Sequence, residues 1–348
     1  MSGGPAPVSD FDYELPEEQV AQVPLEPRDS ARLLDALDPV SPPFDRTVRE
    51  LPQLLGSGDL LVVNDSRVIP ARLMLHKHSG GSVEVMLLRP AGPIDAAAAT
   101  EWQALIRPAR RTPAGTVLLG VQDQPVVEVL RRAEDDSERE SGIHEVRLLD
   151  REAAVAVGQM PLPPYIHTEL ADPDRYQTVY ARREGSVAAP TAGLHFTPEL
   201  LEECRAAGAE IAHVDLAVGL GTFKPMTGET VEDHVMHAEY YRVPPETIEA
   251  TRRARRVIAI GTTALRTLET VASGAPLEGE TRLYVRGDYD FRCVDVLLTN
   301  FHLPRSSLLV LLASFAGPRW RSLYETALER RYRFLSFGDA MIVARSGR

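Results

Sequence analysis

The chain has 348 residues, of which 44% are apolar and 25% charged, and its 50 acidic side chains outnumber 38 basic ones. This composition is typical of a folded protein and excludes a disordered or fibrous chain. The formal net charge of −12 excludes a uniformly basic protein that coats nucleic acid. The charge is uneven, however, because residues 251–348 hold 16 arginines against 9 acidic residues, which is compatible with an anionic partner.

The cysteines and apolar runs bear on the compartment. Cys204 and Cys293 are too few for a disulfide framework and lack the CxxC spacing of zinc or redox sites. The first residues lack the basic and apolar regions of a signal peptide. The most apolar run, residues 308–313, is far shorter than the roughly 20 residues that span a bilayer. We therefore expect reduced thiols and a cytoplasmic protein without a membrane segment.

The first part of the chain contains three predicted elements. A Pro- and Asp-rich start includes one short helical candidate at residues 17–23. An amphipathic helix is predicted over residues 47–55, which two glycines follow. Residues 59–64 then form a short apolar run bounded by glycine and Asn-Asp, which predicts a buried strand.

The pattern changes between about residues 76 and 150. Short alternating apolar segments are separated there by Gly, Pro and charged residues, which is typical of a small antiparallel barrel. The predicted strands are residues 82–88, 102–106, 116–119, 126–130 and 144–148. We assign residues 76–154 to an inserted β-barrel domain.

Strands and helices alternate after about residue 155. The predicted strands are residues 210–218, 257–260, 282–285, 294–299 and 340–343, and the predicted helices are residues 198–207, 245–255, 264–272, 306–316 and 319–331. Apolar strands between helices predict a mostly parallel sheet that is covered on both faces, either open or closed into a barrel. The fold class is therefore α/β: a barrel-like α/β domain of mostly parallel strands, built from residues 1–75 and 155–348, with the β-barrel inserted.

Polar residues and glycines follow four of these strands. Ligands bind outside the carboxyl ends of parallel strands, so these residues are expected to border one site. They are Asn64, Asp65 and Arg67, then Gly219, Gly221 and Thr222, then Gly261, Thr262, Thr263 and Arg266, and finally Asn300 and His302.

Two of these places have a specific chemical interpretation. Gly261, Thr262 and Thr263 open a helix whose free N–H groups can hold an anion such as a carboxylate, although an ordinary strand–helix turn fits equally well. A dinucleotide fingerprint and a P-loop are both absent. His195 precedes the helix cap at Thr197 and is either an acid–base group or a satisfied core histidine.

One segment has the character of a metal site. On a helix His234 and His237 share one face, and Glu239 is then a possible third ligand. The zinc-hydrolase pattern His-Glu-x-x-His is absent, so hydrogen bonding to a polar substrate is favoured and no metal is expected. A metal-dependent hydrolase remains the first rival function.

Two arginine clusters favour nucleic acid. Arg252, Arg253, Arg255 and Arg256 end a predicted helix, and Arg330, Arg331 and Arg333 lie among aromatic residues. Together they offer phosphate-binding charge and stacking surface, although cations also stabilise helix ends and aromatic residues also form cores. A non-catalytic RNA-binding protein is the second rival function.

Several motifs along nearly the whole chain share one family resemblance. They are FDYELP (11–16), GDLLVVNDSRVIPARL (58–73), YQTVYA (176–181), AAPTAGLHF (188–196), VGLGTF (218–223), HVMHAE (234–239), GTT (261–263), RTLE (266–269), LTNFHLP (298–304) and YRFLSFGDAM (332–341). The set resembles the S-adenosylmethionine:tRNA ribosyltransferase-isomerases of queuosine biosynthesis. One departure lies at residues 284–289, where YVRGDY stands in place of a Pro-Gly-Tyr pattern.

The resemblance implies a reaction. S-adenosylmethionine is consumed as the donor of its ribosyl group, so no cofactor is expected. The acceptor is the aminomethyl group of a 7-deazaguanine at the wobble position of tRNA, presented by the anticodon stem-loop. The product is epoxyqueuosine, with adenine and methionine released. A methyltransferase is a third rival, suggested by the cosubstrate alone. A monomer is the working expectation.

The resemblance also suggests roles for residues. His195, His237 and His302 are candidates for proton handling, followed by Asp65 and Glu239. Thr262, Thr263 and Arg266 are candidates for holding the methionine carboxylate or ribose, and Asn64 and Asn300 for hydroxyls or the deazaguanine edge. The other substrate-binding candidates are Arg67, Thr191, Gly193, Gly219, Gly221, Thr222 and Gly261.

Overall fold

The structure, a computed structural model, describes residues 6–91, 99–132, 142–219, 225–226 and 228–347. The strands in these ranges are β1 (Arg32–Ala36), β2 (Phe44–Thr47), β3 (Asp59–Asn64), β4 (Ser66–Val68), β5 (Arg72–His76), β6 (Ser82–Pro90), β7 (Glu101–Arg107), β8 (Val117–Leu119), β9 (Pro125–Arg132), β10 (Ile143–Leu148), β11 (Gly158–Gln159), β12 (Arg183–Ser186), β13 (Glu210–Leu216), β14 (Glu239–Arg242), β15 (Arg256–Ile260), β16 (Glu278–Thr281), β17 (Val296–Asn300) and β18 (Ala340–Ala344). The helices are α1 (Arg151–Val157), α2 (Pro198–Ala206), α3 (Pro245–Arg253), α4 (Thr262–Ala272), α5 (Ser307–Ala316) and α6 (Trp320–Glu329).

A mixed nine-stranded sheet organises the larger part of the fold. Its strand order is β16-β14-β13-β3-β15-β17-β18-β1-β2. The four central strands β13, β3, β15 and β17 are mutually parallel, whereas β17–β18 and the outermost pairs at both edges are antiparallel. The expectation of mostly parallel strands is therefore met by the central strands and not by the sheet as a whole. The antiparallel strands β2 and β14 lack a long apolar run, so they were not predicted from the sequence.

The central strand β3 shows how both faces of this sheet are covered. All six of its residues are buried. Leu60 and Val62 enter a core that includes residues of α4, α5 and α6, whereas Leu61 and Val63 enter a second core with residues of α2. Alternation along the strand thus feeds two hydrophobic cores, as expected for a sheet between two layers of helices.

The inserted segment forms a closed antiparallel barrel. Six strands follow one another in the order β5-β6-β7-β10-β9-β8, and a β5–β8 pairing at His76 and Leu119 closes the ring. Alternating residues such as Val85, Trp102 and Val146 fill its core. The barrel strands begin at Arg72 and end at Leu148, against the predicted limits of residues 76–154.

Some predicted elements differ from the structure for identifiable reasons. The strand predicted at residues 282–285 lies instead at Glu278–Thr281, because this edge strand is polar and the apolar residues after it pack as a loop. The helix predicted over residues 47–55 is a 3-10 helix, Val48–Leu54, with Pro52 inside it, which removes a backbone donor. Of the helical candidate at residues 17–23, a 3-10 turn Glu17–Gln19 forms.

The cysteines and the lengths of the helices were two further points of the sequence analysis. Cys204 is buried, Cys293 is half-buried, and neither is in a disulfide. Within the described ranges no helix has the length and apolar character needed to cross a membrane.

Candidate active site

An open cleft lies at the carboxyl ends of the central parallel strands. It is open to solvent and is lined by both polar and apolar side chains, as is usual for a ligand site. The predicted site residues that line it are Thr191, Gly261, Thr262, Thr263, Asn300 and His302, and further lining residues include Tyr165, Val218, Thr299, Ser306, Leu335 and Ser336. The polar ends of β15 and β17 therefore meet at one site, as their position in a parallel sheet predicts.

Asn300, the last residue of β17, is held by three neighbours. Its Oδ1 accepts a hydrogen bond of 2.9 Å from the hydroxyl of Thr191. Its Nδ2 lies 3.3 Å from Nε2 of His195 and 3.4 Å from the carbonyl of Asp339. Because Nδ2 is a donor, the imidazole nitrogen that faces it acts as the acceptor. These contacts fix the orientation of a buried amide at the wall of the cleft.

His302 lines the cleft as an uncharged imidazole. Its Nε2 lies 3.1 Å from the hydroxyl of Thr299. Its backbone is clamped as well, because its N–H donates to the Tyr324 hydroxyl at 2.8 Å and its carbonyl accepts from the Tyr13 hydroxyl. Burial lowers the pKa of His302 to about 3. At neutral pH this side chain therefore offers hydrogen bonds without a positive charge.

The start of α4 presents unsatisfied donors to the cleft. Gly261 has φ of +91°, which favours glycine, and supplies no side chain to cap the helix. The first N–H groups of a helix have no partner within it and carry a partial positive charge. The Thr263 hydroxyl is buried and has no hydrogen-bond partner among the described residues. This combination suits the carboxylate of a bound ligand.

A loop before β18 forms another wall of the cleft. Leu335 adopts φ of +69°, which is rare for a residue other than glycine, and its N–H donates to the Phe301 carbonyl at 3.1 Å. The hydroxyls of Ser336 and Tyr165 lie 2.7 Å apart. Sequence reasoning missed these wall residues because they do not follow a predicted strand. Leu335 and Ser336 do lie inside the YRFLSFGDAM motif, and this motif was the feature of the sequence from which they could have been predicted as site residues.

His195 lies behind Asn300 rather than in the cleft. It borders a small neighbouring cavity with Arg28. Burial, together with the positive charges of Arg333 and Arg28, lowers its pKa to about 4. The nearby Gly193 is a packing residue, because a Cβ there would lie 2.0 Å from the Tyr180 hydroxyl oxygen.

The residues after β3 do not reach the cleft. The Asn64 side chain is fully buried and bonds the backbone N–H and carbonyl of Leu216, both at 3.1 Å, which ties β3 to β13. Asp65 borders a different groove, where its Oδ2 lies 3.6 Å from Nδ1 of His213. Arg67 lies 4.0 Å from Asp174 at the surface.

Arg266 is occupied by the protein itself. Its Nη1 donates to Oε2 of buried Glu239, and its Nε donates to the Leu283 carbonyl at 3.1 Å. The other oxygen of Glu239 accepts from the N–H of Gly219 at 3.3 Å. Nη1 and Nε of Arg266 are therefore engaged, whereas its Nη2 is buried and has no hydrogen-bond partner among the described residues. The predicted two-point contact with a substrate carboxylate is thus reduced to one free nitrogen, and the Arg266–Glu239 pair holds the segment that follows β13. Gly221 and Thr222 lie outside the described residues.

The histidine segment does not form the predicted helical face. His234 follows a 3-10 turn, His237 is exposed in extended chain, and Glu239 begins β14. Glu239 is already paired with Arg266. No group of three or more candidate metal ligands occurs in the part of the chain that the structure describes.

Most arginines of the two predicted RNA-binding clusters make ion pairs or bond backbone carbonyls. Arg255 and Arg256 both contact Asp59, whose side chain is 0% exposed, at 2.9 and 2.6 Å. Asp59 begins β3, so this first cluster lies at the amino ends of the parallel strands, opposite the cleft. Its other members are Arg252, which is exposed, and Arg253, which lies 3.6 Å from Glu210.

The second cluster is also largely engaged. Arg330 pairs with Asp45 at 3.0 Å. Arg333 donates to the Val23 carbonyl and is half-buried, which lowers its pKa. Arg331 is exposed. The location of free positive charge could not be predicted from clustering in the sequence.

The fold and the cleft are those of an α/β enzyme with an inserted β-barrel. The family profile described as queuosine biosynthesis protein matches residues 8–343. The chain therefore belongs to the queuosine biosynthesis protein family.

Relatives match along almost their full length. A curated protein from Natranaerobius thermophilus, named S-adenosylmethionine:tRNA ribosyltransferase-isomerase, is 46% identical over 349 residues, which cover 97% of this chain and 99% of the relative. A protein of the same name from Thermus thermophilus is 49% identical over 353 residues, with 96% and 98% covered. The crystal structure of S-adenosylmethionine tRNA ribosyltransferase from Thermotoga maritima has a TM-score of 0.53 and 36% identity, covering 96% of this chain and 100% of that one.

Proposed function

We propose that this chain transfers and isomerises the ribosyl group of S-adenosylmethionine onto tRNA. The acceptor is the aminomethyl group of a 7-deazaguanine at the wobble position, and epoxyqueuosine, adenine and methionine are the products. The observation that carries this proposal is the full-length similarity to ribosyltransferase-isomerases of the same name, at 46% and 49% identity. The cleft supports it because its neutral polar walls suit a substrate that brings its own charges.

The start of α4 is the proposed site for the methionine carboxylate. The free N–H groups of the first helical turn and the unpartnered Thr263 hydroxyl supply donors there. The helix dipole favours a negative charge at this end. Thr262 lines the same wall and adds a second hydroxyl. Arg266 is not part of this contact, because Glu239 neutralises it.

Asn300 is the proposed group that orients the ribose hydroxyls or the edge of the deazaguanine. Thr191 and His195 hold its amide, so little conformational entropy remains to be lost when a substrate binds. Both hydrogens of Nδ2 are engaged by His195 and the Asp339 carbonyl, whereas Oδ1 keeps one acceptor position, which fits a donor on a ribose hydroxyl or on a base edge.

The reaction needs a proton donor for the departing adenine and a base for the carbon beside the sulfonium. Loss of adenine requires a hydrogen-bond donor to the departing base, and uncharged His302 is placed in the cleft for that role. Its low pKa makes it a weak base, so removal of the proton from the carbon beside the sulfonium falls to another group. Neither predicted carboxylate is assigned this role, because Asp65 borders a different groove and Glu239 is paired with Arg266.

The proposal extends to cosubstrate, location and assembly. S-adenosylmethionine is consumed as a substrate, with no further cofactor and no metal. We propose that the reaction takes place in the cytoplasm and that the protein works as a monomer.

The test is incubation with an anticodon stem-loop that bears the precursor base, together with ribosyl-labelled S-adenosylmethionine. The expected products are labelled epoxyqueuosine in the RNA, free adenine and methionine. S-adenosylhomocysteine would indicate a methyltransferase instead, and loss of turnover with a chelator would indicate a metal-dependent enzyme. RNA binding without adenine release would reduce the chain to an RNA-binding protein.

A further inference from the structure

A second groove runs along the open edge of β13. This strand pairs with β14 only at Asp215 and Leu216, so its earlier residues have no neighbouring strand on that side. Helix α3 flanks the gap, and the Thr247 hydroxyl donates to the His213 carbonyl at 2.8 Å. The groove has a cavity volume of about 370 Å³ and is open to solvent. Space for a polymer segment is therefore available beside the sheet.

Two unpaired arginines stand at one end of this groove. Arg182 and Arg183 are both exposed, and neither makes an ion pair with any residue that the structure describes. The other arginines of the groove are engaged, because Arg242 lies 3.6 Å from Glu278 and Arg253 lies 3.6 Å from Glu210. Free positive charge is thus confined to the adjacent pair.

The backbone of this pair is anchored, whereas its guanidinium groups are not. The N–H groups of Arg182 and Arg183 both donate to the carbonyl of Asp65, at 2.8 and 3.2 Å. Two positive side chains are therefore presented from a fixed base. Fixing the backbone reduces the entropy that is lost when these side chains bind an anion.

His213 adds an unsatisfied polar atom at the same place. Its Nδ1 is buried and has no hydrogen-bond partner among the described residues, and Oδ2 of Asp65 lies 3.6 Å away. Burial, together with the charge of Arg182, lowers the pKa of His213. A neutral imidazole here supplies a hydrogen-bonding group beside the arginines without repelling them.

The arginine pair is close to the cleft along the chain. Arg183 begins β12, and this segment leads to Ala189, which lines the cleft. Six residues of extended chain span at most about 20 Å. A single RNA strand whose reacting base enters the cleft can therefore reach the groove within a few nucleotides.

We infer that Arg182 and Arg183 bind a phosphodiester of the RNA strand close to the reacting nucleotide. The inference rests on the proposed function, since it requires an RNA substrate. Arginine pairs suit phosphate because each guanidinium offers several donors in a fixed plane. Four carboxylates, those of Asp65, Glu210, Asp215 and Glu246, also line the groove and repel phosphates. The charges of Arg182 and Arg183 act on Asp65, where they oppose the rise in pKa that burial causes. The phosphate contact is therefore expected at the exposed guanidinium groups and not deeper in the groove.

The experiment compares two double variants of the full chain. Arg182→Ala with Arg183→Ala removes the proposed contact. Arg110→Ala with Arg111→Ala is the matched control, because these residues are also adjacent, exposed and without an ion pair to any described residue, but lie on the inserted barrel. Both variants lose two positive charges. Adenine release is measured against concentration of the stem-loop RNA at several salt concentrations, and thermal unfolding checks that each variant is folded.

The groove variant is expected to raise KM for the RNA about tenfold, with kcat and KM for S-adenosylmethionine within twofold of wild type. Its slope of log affinity against log salt is expected to fall by about 0.7 for each lost phosphate contact. An unchanged KM and salt slope overturns the inference, as does an equal loss in the barrel variant, which would show a general charge effect. Failure of the wild type to release adenine would instead count against the proposed function.

Discussion

The Nδ2 atom of Asn300 lies 3.3 Å from Nε2 of His195, and the two residues are 105 positions apart in the chain. Because the amide donates, His195 must carry its proton on Nδ1 and remain neutral. Its pKa of about 4 agrees with that state at physiological pH. We therefore expect His195 to be a positioning residue for the cleft, which corresponds to the buried core histidine that the sequence left open beside an acid–base role.

Replacement of His195 tests this role. His195→Ala is expected to lower kcat/KM by about tenfold to a hundredfold, because it removes one bond from a buried amide worth about 1–3 kcal/mol. His195→Gln keeps an acceptor and is expected to recover most of the activity. The pH profile of kcat is expected to be the same in wild type and His195→Gln. Loss of a pH limb together with equal inactivity of both variants would make His195 an acid–base catalyst.

The buried histidines predict how stability depends on pH. Their pKa values of about 4 for His195 and about 3 for His302 lie below the unfolded value near 6.5, so the unfolded chain binds more protons between these limits. The free energy of unfolding is therefore expected to fall as pH is lowered from 6.5, by about 2 kcal/mol per histidine at pH 5. Urea titrations at pH 7 and pH 5 measure this. Each Gln variant should flatten the dependence, and unchanged curves would contradict the assignment.

The Thr263 hydroxyl is expected to contribute to binding of S-adenosylmethionine. Thr263→Val removes a buried hydroxyl without a partner among the described residues, so KM for S-adenosylmethionine is expected to rise about tenfold while stability is unchanged or higher. Thr267→Val is the control, since that buried hydroxyl already bonds the Thr263 carbonyl within the same helix. Steady-state kinetics with saturating RNA give the comparison. Equal KM values for the two variants would remove Thr263 from the carboxylate site.

Arg256 is expected to matter for stability and not for RNA. Arg256→Ala withdraws a two-point contact from the fully buried carboxylate of Asp59 and is expected to cost about 3 kcal/mol in the free energy of unfolding. Arg252→Ala, at an exposed position four residues earlier, is expected to change it by less than about 0.5 kcal/mol. Urea unfolding and RNA titration separate the two properties. Weaker RNA binding by folded Arg256→Ala would restore the sequence-based interpretation.

The sequence predicted what depends on local pattern. The buried strand at residues 59–64, the polar ends of β15 and β17 and the barrel within the inserted segment all follow from periodicity and turn residues. Edge strands such as Phe44–Thr47 were not predicted, because they are too exposed to show an apolar run.

Hydrogen-bond and ion-pair partners that are distant in sequence were not predicted for a different reason. Asp59 and Arg256 are 197 positions apart, and Asn64 bonds Leu216 across 152 positions, so their side chains looked free in the sequence. A polar residue at a strand end predicts the location of a site, but only the folded neighbours show whether its side chain is available. Arg182 and Arg183 show the opposite case. They belong to neither arginine cluster, yet their side chains make no ion pair with any described residue.

The junction between the inserted barrel and the nine-stranded sheet allows the two to change independently. The chain enters the barrel at β5 and comes back at β11, which pairs with that same strand at Leu73 and Gly158. The points at which the chain enters and leaves the barrel thus lie side by side. For the nine-stranded sheet, the whole insertion therefore costs little more closure entropy than a short loop. The loops of the barrel can therefore change in length or unfold locally without separating the strands that carry the cleft.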